Sequence, residues 1–446
     1  MRTLLTTILT VFVLVALPAC DSLVEDVDDP IDSADDELFS SADQVDFLID
    51  GVEGRFASAH DRTAIFAGLL SDQFLFGGSG ATFPTFRDLD DGIPTLDNNS
   101  VDGSLGQLGE YRFLADDLLR RIDEIDELSP EEGGWVDGEA DPARIRTEFN
   151  ANFHGAVARY FWATFYGDEP RRGGGVISEV ESPADRETRG EFIPSEEMFT
   201  LAEERFEAAL ETADTYLGPG DGYDSRVIHT LLARIALFQG DTQAAATYAE
   251  NGLEAGDAPF QAEYLDRTGA GANEWFNAGG PGRVQTIADF RFFDGEEYLA
   301  GDLESPEAAR IPLEPVFDIV SGDTGYRQAL YNERGSEKNF ATWQENELIL
   351  AEVELRNGED ATERVNAVRE SRGLDPLSDV DLDVLFTERD KEFFTLGFRL
   401  VDQRRVTDEQ IGGVDEDLHG WHQDENAWWY LPITLGERSD NPNIDE

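Results

Sequence analysis

One cysteine, Cys20, occurs in 446 residues. A lone thiol excludes an intramolecular disulfide and any zinc site built from several cysteines. Lysine is nearly absent: Lys338 and Lys391 are the only two, so other fixed side-chain positive charge is arginine. The 34 Lys+Arg face 95 Asp+Glu, giving a net charge of −61. A chain this acidic is repelled by phosphate backbones, which excludes a nucleic-acid partner. Beyond the amino terminus no stretch approaches the roughly 18 apolar residues of a membrane-spanning helix.

Catalytic signatures are missing too. No G-x-S-x-G, H-E-x-x-H or Walker pattern occurs. His419 and His422 form H-x-x-H, but only five histidines exist and no third ligand is evident. Asp379, Asp381 and Asp383 mimic the start of a calcium loop. Val384 stands where that loop needs glycine and Asp390 where it needs glutamate, so a helix cap before Glu388 fits better. A glycosidase needs two placed carboxylates, and among 95 acids spacing carries no information. The expectation is a protein without catalytic residues, metal or cofactor.

What is present starts with a core: 40% of the residues are hydrophobic. The acids are spread throughout rather than gathered in a tail. An acidic surface for cationic ligands is one reading. Even spread and scarce lysine favour the other, a halophile's solubility in high salt. At the amino terminus Arg2 precedes an apolar run from Leu4 to Leu17, of signal-peptide length. Leu17, Pro18, Ala19 and Cys20 resemble a lipobox. The expectation is a signal peptide over 1–19, a lipidated Cys20 as membrane anchor, and an acidic tether over 20–43.

Beyond residue 43 the pattern predicts a mainly α chain, read as one domain over 44–446. Helices are expected over 44–59, 63–70, 105–128, 144–165 and 195–216. The clearest unit spans 225–256. Val227, Leu231 and Ile235 line one helix face, Gly240 and Asp241 turn the chain, and Ala245, Tyr248, Ala249, Gly252 and Leu253 line the return. Gly256 is the expected cap. This unit resembles a tetratricopeptide repeat, and similar pairs are expected over about 105–256 and 346–405. Residues 269–341 read as loop-rich, with 282–293 the best strand candidate.

Three carboxy-terminal segments, in order, resemble the SusD/RagB family of outer-membrane nutrient-uptake lipoproteins. The first carries Asn366, Val368, Arg369, Arg372, Gly373 and Leu374. The second carries Glu388, Arg389, Glu392 and Phe393, then Gly397, Arg399, Asp402 and Arg405. The third carries Pro432, Ile433, Glu437, Asn441, Pro442 and Asn443. Leu396 and Thr434 depart from the family pattern. Scaffold roles are expected for these residues, with Arg399 pairing Asp402 and Arg389 pairing Glu392 along one helix.

The resemblance implies a SusD-like fold and a cell-surface outer-membrane lipoprotein. It implies binding of a nutrient, often an oligosaccharide, as a lid on a SusC-like TonB-dependent transporter, without catalysis. A tetratricopeptide-type envelope scaffold with no nutrient ligand of its own is the alternative. Sugar recognition needs aromatic faces and hydroxyl-bonding side chains. Two glycine-bearing loops combine these: Asp72, Gln73, Phe74, Phe76 and Phe83, and Asn273, Trp275, Phe276, Asn277 and Arg283. The competing reading is that each aromatic pins its loop to the helical core. For Trp421, His422, Trp428 and Trp429, core packing is expected.

Overall fold

The computed structural model describes residues 44–78, 84–125, 135–136, 139–140, 142–178, 189–217, 222–267, 271–408, 410–421 and 426–444. Cys20, Phe83 and His422 lie outside them, as do the expected signal peptide and tether.

Ten helices of eight residues or more occur among the described residues. They are α1 (Val45–Leu70), α2 (Asn99–Glu124), α3 (Pro142–Phe165), α4 (Ser195–Thr212), α5 (Tyr223–Phe238), α6 (Thr242–Ala249), α7 (Trp343–Arg356), α8 (Thr362–Ser371), α9 (Leu382–Glu392) and α10 (Phe398–Thr407). Helices adjacent in sequence pack on each other from α1 through α8, and α10 returns against α1. The result is mainly α, an array of tetratricopeptide-like pairs. One hydrophobic cluster runs from Val45 to Ile444.

Local chemistry explains most boundaries. Asn98 caps α2 by accepting from the amides of Ser100 and Val101, which starts the helix six residues before Leu105. Asp381 caps α9 through the amide of Val384, the role expected for it. Two expected helices over 44–59 and 63–70 are one continuous α1. His60 and Asp61 enter the core at 3% and 0% exposure, and no proline or glycine interrupts the turn there. The return helix of the tetratricopeptide-like unit is shorter than expected: α6 ends at Ala249, so Gly256 caps no helix. Gly252 instead lies where α5 and α7 converge. A Cβ there would sit 2.3 Å from Asn346 Oδ1 and 2.7 Å from Thr230 Oγ1.

The loop-rich region contains more strand than its sequence suggested. Phe74–Phe76 pairs antiparallel with Thr286–Ala288. Leu313–Asp318 and Asp323–Gln328 form a hairpin of two six-residue strands. The strand expected over 282–293 shrinks to three residues, because Asp289 caps a short helix, Phe290–Asp294, through the amide of Arg291.

Most charged residues of the first two motif segments are buried and ion-paired, with partners other than those expected. Arg399 pairs Asp72 at 2.7 Å and Asp390 at 3.2 Å. Asp402 takes Arg389 at 2.9 Å and Arg405 at 3.0 Å. Glu392 pairs with Arg372. Glu388 gathers Arg310, Arg369 and Lys391 within 3.0 Å. The burial of Glu388 works to raise its carboxyl, and those cations outweigh it, holding it at about 2. Asp402–Arg405 and Glu388–Lys391 are each a pair within one helix, and the others bond between elements and fix how helices and loops sit together.

Candidate functional site

The Phe74–Phe76 and Thr286–Ala288 pairing brings the two expected site loops side by side. Their anchoring is ionic. Asp72 adopts a left-handed backbone (φ 56°) and receives Arg399 Nε at 2.7 Å and Arg291 Nη1 at 3.0 Å. Gln73 is buried; its Oε1 accepts from the Thr395 amide and its Nε2 donates to Asp390 Oδ1. The motif residue Arg399 and its neighbour Asp390 thus clamp the first loop to α9 and α10.

The aromatics of these loops face inwards. Phe74 and Trp275 both have 0% exposure, with ring centroids 4.8 Å apart. Phe394 lies 5.2 Å from Phe74, and Tyr331 stacks 6.3 Å from Trp275. Phe76 is buried with the Arg87 guanidinium 4.9 Å from its ring. In this arrangement Phe74, Phe76 and Trp275 offer no face to a ligand. Phe276 is half-buried, with Arg334 4.6 Å over its ring, while Asn277 and Arg283 are exposed.

The outward aromatic surface lies beside them, on the hairpin. Cross-strand register puts Thr324 opposite Phe317 and Tyr326 opposite Pro315, so Phe317 and Tyr326 share one face. Phe293 stacks on Tyr326 with centroids 3.9 Å apart and planes 23° apart. Phe317 is 68% exposed, and Ile319 and Val320 at the tip are exposed as well. In a protein of net charge −61, this apolar strip stands out. Burial, Asp294 and Asp323 push the Tyr326 hydroxyl up, which places two carboxylates near the stack.

Asp318 sets the tip. Its Oδ1 accepts from the amides of Gly78 (2.7 Å) and Val320 (3.0 Å), and its Oδ2 from the amide (2.9 Å) and hydroxyl of Ser321. Burial raises this carboxyl, and the hydrogen bonds from Ser321, Val320 and Gly78 outweigh it, leaving it below the ordinary range. Beneath the hairpin, Ile287 fills the space that side chains at Gly77 and Gly325 would take: Cβ atoms there would lie 2.8 Å and 2.9 Å from its Cδ1. Sequence reading missed Phe317 and Tyr326. The signal was weak: Ser321–Gly322 marks a turn, but the flanking segments show no strict apolar alternation.

Elsewhere, His419 is buried against Phe386. No group of three or more His, Cys, Asp or Glu among the described residues is placed to hold a metal. No helix of the described residues is long and apolar enough to cross a membrane. Trp429 packs in the core with Arg171 3.8 Å over its ring, and Trp421 lies 5.9 Å from it.

No protein-family model matches the sequence, and no curated protein matches it. Solved structures match the fold. Surface glycan-binding protein A from Bacteroides uniformis superposes with a TM-score of 0.65 at 15% identity, covering 91% of this chain and 99% of that one. A SusD superfamily protein from Bacteroides vulgatus gives 0.65 at 16% identity, covering 91% and 98%. A laminarin-binding SusD-like protein gives 0.60 at 15% identity, covering 90% and 98%.

Proposed function

Because the chain has the SusD-like fold, we propose that it is a cell-surface binding protein, not an enzyme, that captures a glycan and passes it to a SusC-like TonB-dependent transporter. The single observation that carries the glycan reading is the aromatic strip on the hairpin, where exposed Phe317 shares a face with the partly buried, stacked pair Phe293 and Tyr326. Aromatic faces stack on the apolar faces of sugar rings, and the exposed Asp294 and Asp323, whose charge is felt at the Tyr326 hydroxyl, can accept from sugar hydroxyls. Exposed Asn277 and Arg283 extend the polar contacts. Buried Gln73, Phe74, Phe76 and Trp275, with half-buried Asp72 and Phe276, serve the loops that pack beside the hairpin. Like-named glycan binders among the structural neighbours support the class of ligand. The lipobox supports anchoring in the outer membrane through Cys20, facing outwards.

Two experiments test this. Calorimetry of the purified protein in high salt against neutral oligosaccharides is expected to give binding that Tyr326→Ala weakens about fivefold or more, since stacking contributes about 1 kcal/mol or more. Co-purification from membranes is expected to yield a TonB-dependent transporter. Absence of any glycan ligand together with absence of a transporter would leave the tetratricopeptide-type scaffold as the better reading.

A further inference from the structure

A second cavity lies away from the aromatic strip. Its volume is about 290 Å³, and it opens between the end of α3, the start of α4, the end of α5 and the end of α10. Phe199, Phe238 and Tyr430 supply apolar walls, and Ser195, Gln239 and Arg404 supply hydrogen-bonding groups. That is room for about one sugar ring, at the small end of ligand sites.

Arg404 is the unusual member. It is 7% exposed, yet its bonds go to neutral oxygens: Nη1 to the Trp429 carbonyl at 3.0 Å and Nη2 to the Thr164 carbonyl at 2.7 Å. Tyr430 covers its guanidinium at 4.2 Å. Arg234, Arg389, Arg399 and Arg405 are equally buried, and each holds a carboxylate. Arg404 forms no ion pair among the described residues, in a chain with 95 acids. Its burial pushes the guanidinium pKa down. Asp408 on the cavity rim attracts it from beyond ion-pair distance and leaves the buried cation only partly compensated, and an anion delivered by a ligand offsets the rest. The first turn of α4 borders the same cavity, but its own Glu196 and Glu197 offset the positive end of the helix, so the attraction for an anion comes from Arg404.

We infer that this cavity binds one carboxylate-bearing sugar residue, with Arg404 as the counter-ion and Tyr430 and Phe199 against the ring. Glu196 and Asp408 on the rim are exposed, and their charge selects a single carboxylate over a polyanion. The inference takes the class of ligand from the glycan-binding reading; the cavity itself does not depend on the strip.

The test is calorimetry of the purified protein with D-glucuronate, with a glucuronate-terminated disaccharide, and with glucose as the neutral control, at matched ionic strength. Glucuronate is expected to bind about tenfold or more tighter than glucose, because a charge-assisted contact to Arg404 is lost in the control. Arg404→Gln is expected to abolish that difference. Gln239→Trp, a change at an exposed rim position, is expected to block binding without unfolding the protein. Tyr326→Ala is expected to leave it unchanged. Preference for the disaccharide over free glucuronate would assign the site to a chain end, and the reverse to a free sugar acid. Equal affinity for glucuronate and glucose, or glucuronate binding that survives Gln239→Trp, overturns the inference. Neutral glycans binding at the strip with no glucuronate binding would sink the inference alone; glucuronate binding with no neutral glycan would sink the strip reading alone.

Discussion

Lys338 Nζ lies 3.4 Å from Asp61 Oδ1, and neither side chain is exposed at all. Burial is the leading cause in both: it raises Asp61 to about 6 and lowers Lys338 to about 8. Both shifts favour the neutral forms in the folded state. Asp61 therefore adds stability below its unfolded value near 4, and that contribution is lost as pH rises through about 6. Lys338 adds stability above its unfolded value near 10.4, lost as pH falls through about 8. The urea-unfolding difference between wild type and Asp61→Asn/Lys338→Met is expected to be least favourable to wild type between pH 6 and 8. A flat difference from pH 4 to 10 would contradict this account.

Arg389 and Asp402 bond bidentately at 2.9 Å, both oxygens engaged, inside the core. Asp402→Ala strands Arg389 and is expected to cost about 3–5 kcal/mol in urea unfolding. Glycan affinity of the folded fraction is expected to stay at the wild-type value, because these residues touch no ligand surface.

Asp318 is different, since it shapes the tip directly. Asp318→Ala removes acceptors for the amides of Gly78, Val320 and Ser321. A stability loss of about 1–3 kcal/mol is expected. Glycan affinity should fall as well, since Phe317 and Tyr326 lose their fixed spacing. Asn at the same position keeps one acceptor and is expected to recover part of both.

At the helix junction, Gly252→Ala drives a methyl into Asn346. Asn346 Nδ2 donates to the carbonyls of Ala249 and Leu253, so it has little freedom to withdraw. A lowered melting temperature, equivalent to about 1–3 kcal/mol, is expected. An unchanged melting temperature would show that the α6–α7 junction has slack the structure does not display.

Trp275→Ala separates core from ligand roles. The ring is fully buried between Phe74 and Tyr331, so a loss of about 3–5 kcal/mol is expected. Trp275→Phe retains most of the packing, and wild-type glycan affinity is expected for it.

The helical array was legible because its signals are local. Val227, Leu231 and Ile235 repeat at the helix period, Asp381 is a good cap, and glycine at 240 permits the turn (φ +83°), whereas the Asn98 cap went unread. The burial of the carboxy-terminal charged residues was legible too, through ordered motifs, but not their partners. Arg399 finds Asp72 across 327 residues, a contact no spacing rule reaches.

The sequence alone determined a mainly α chain, an acidic surface with little lysine, and two loops rich in aromatics. Tertiary structure decided which of those aromatics meet water. Phe74 and Trp275 are drawn into the core because Asp72 and Gln73 are clamped onto α9 and α10, and the strand pairing pulls both loops in. Phe317 and Tyr326 stay outside because hairpin register sets them on the face opposite Ile287, where Phe293 completes the strip. Period-two alternation assigns residues to two faces of a hairpin, and only the packing of that hairpin determines which face is solvent.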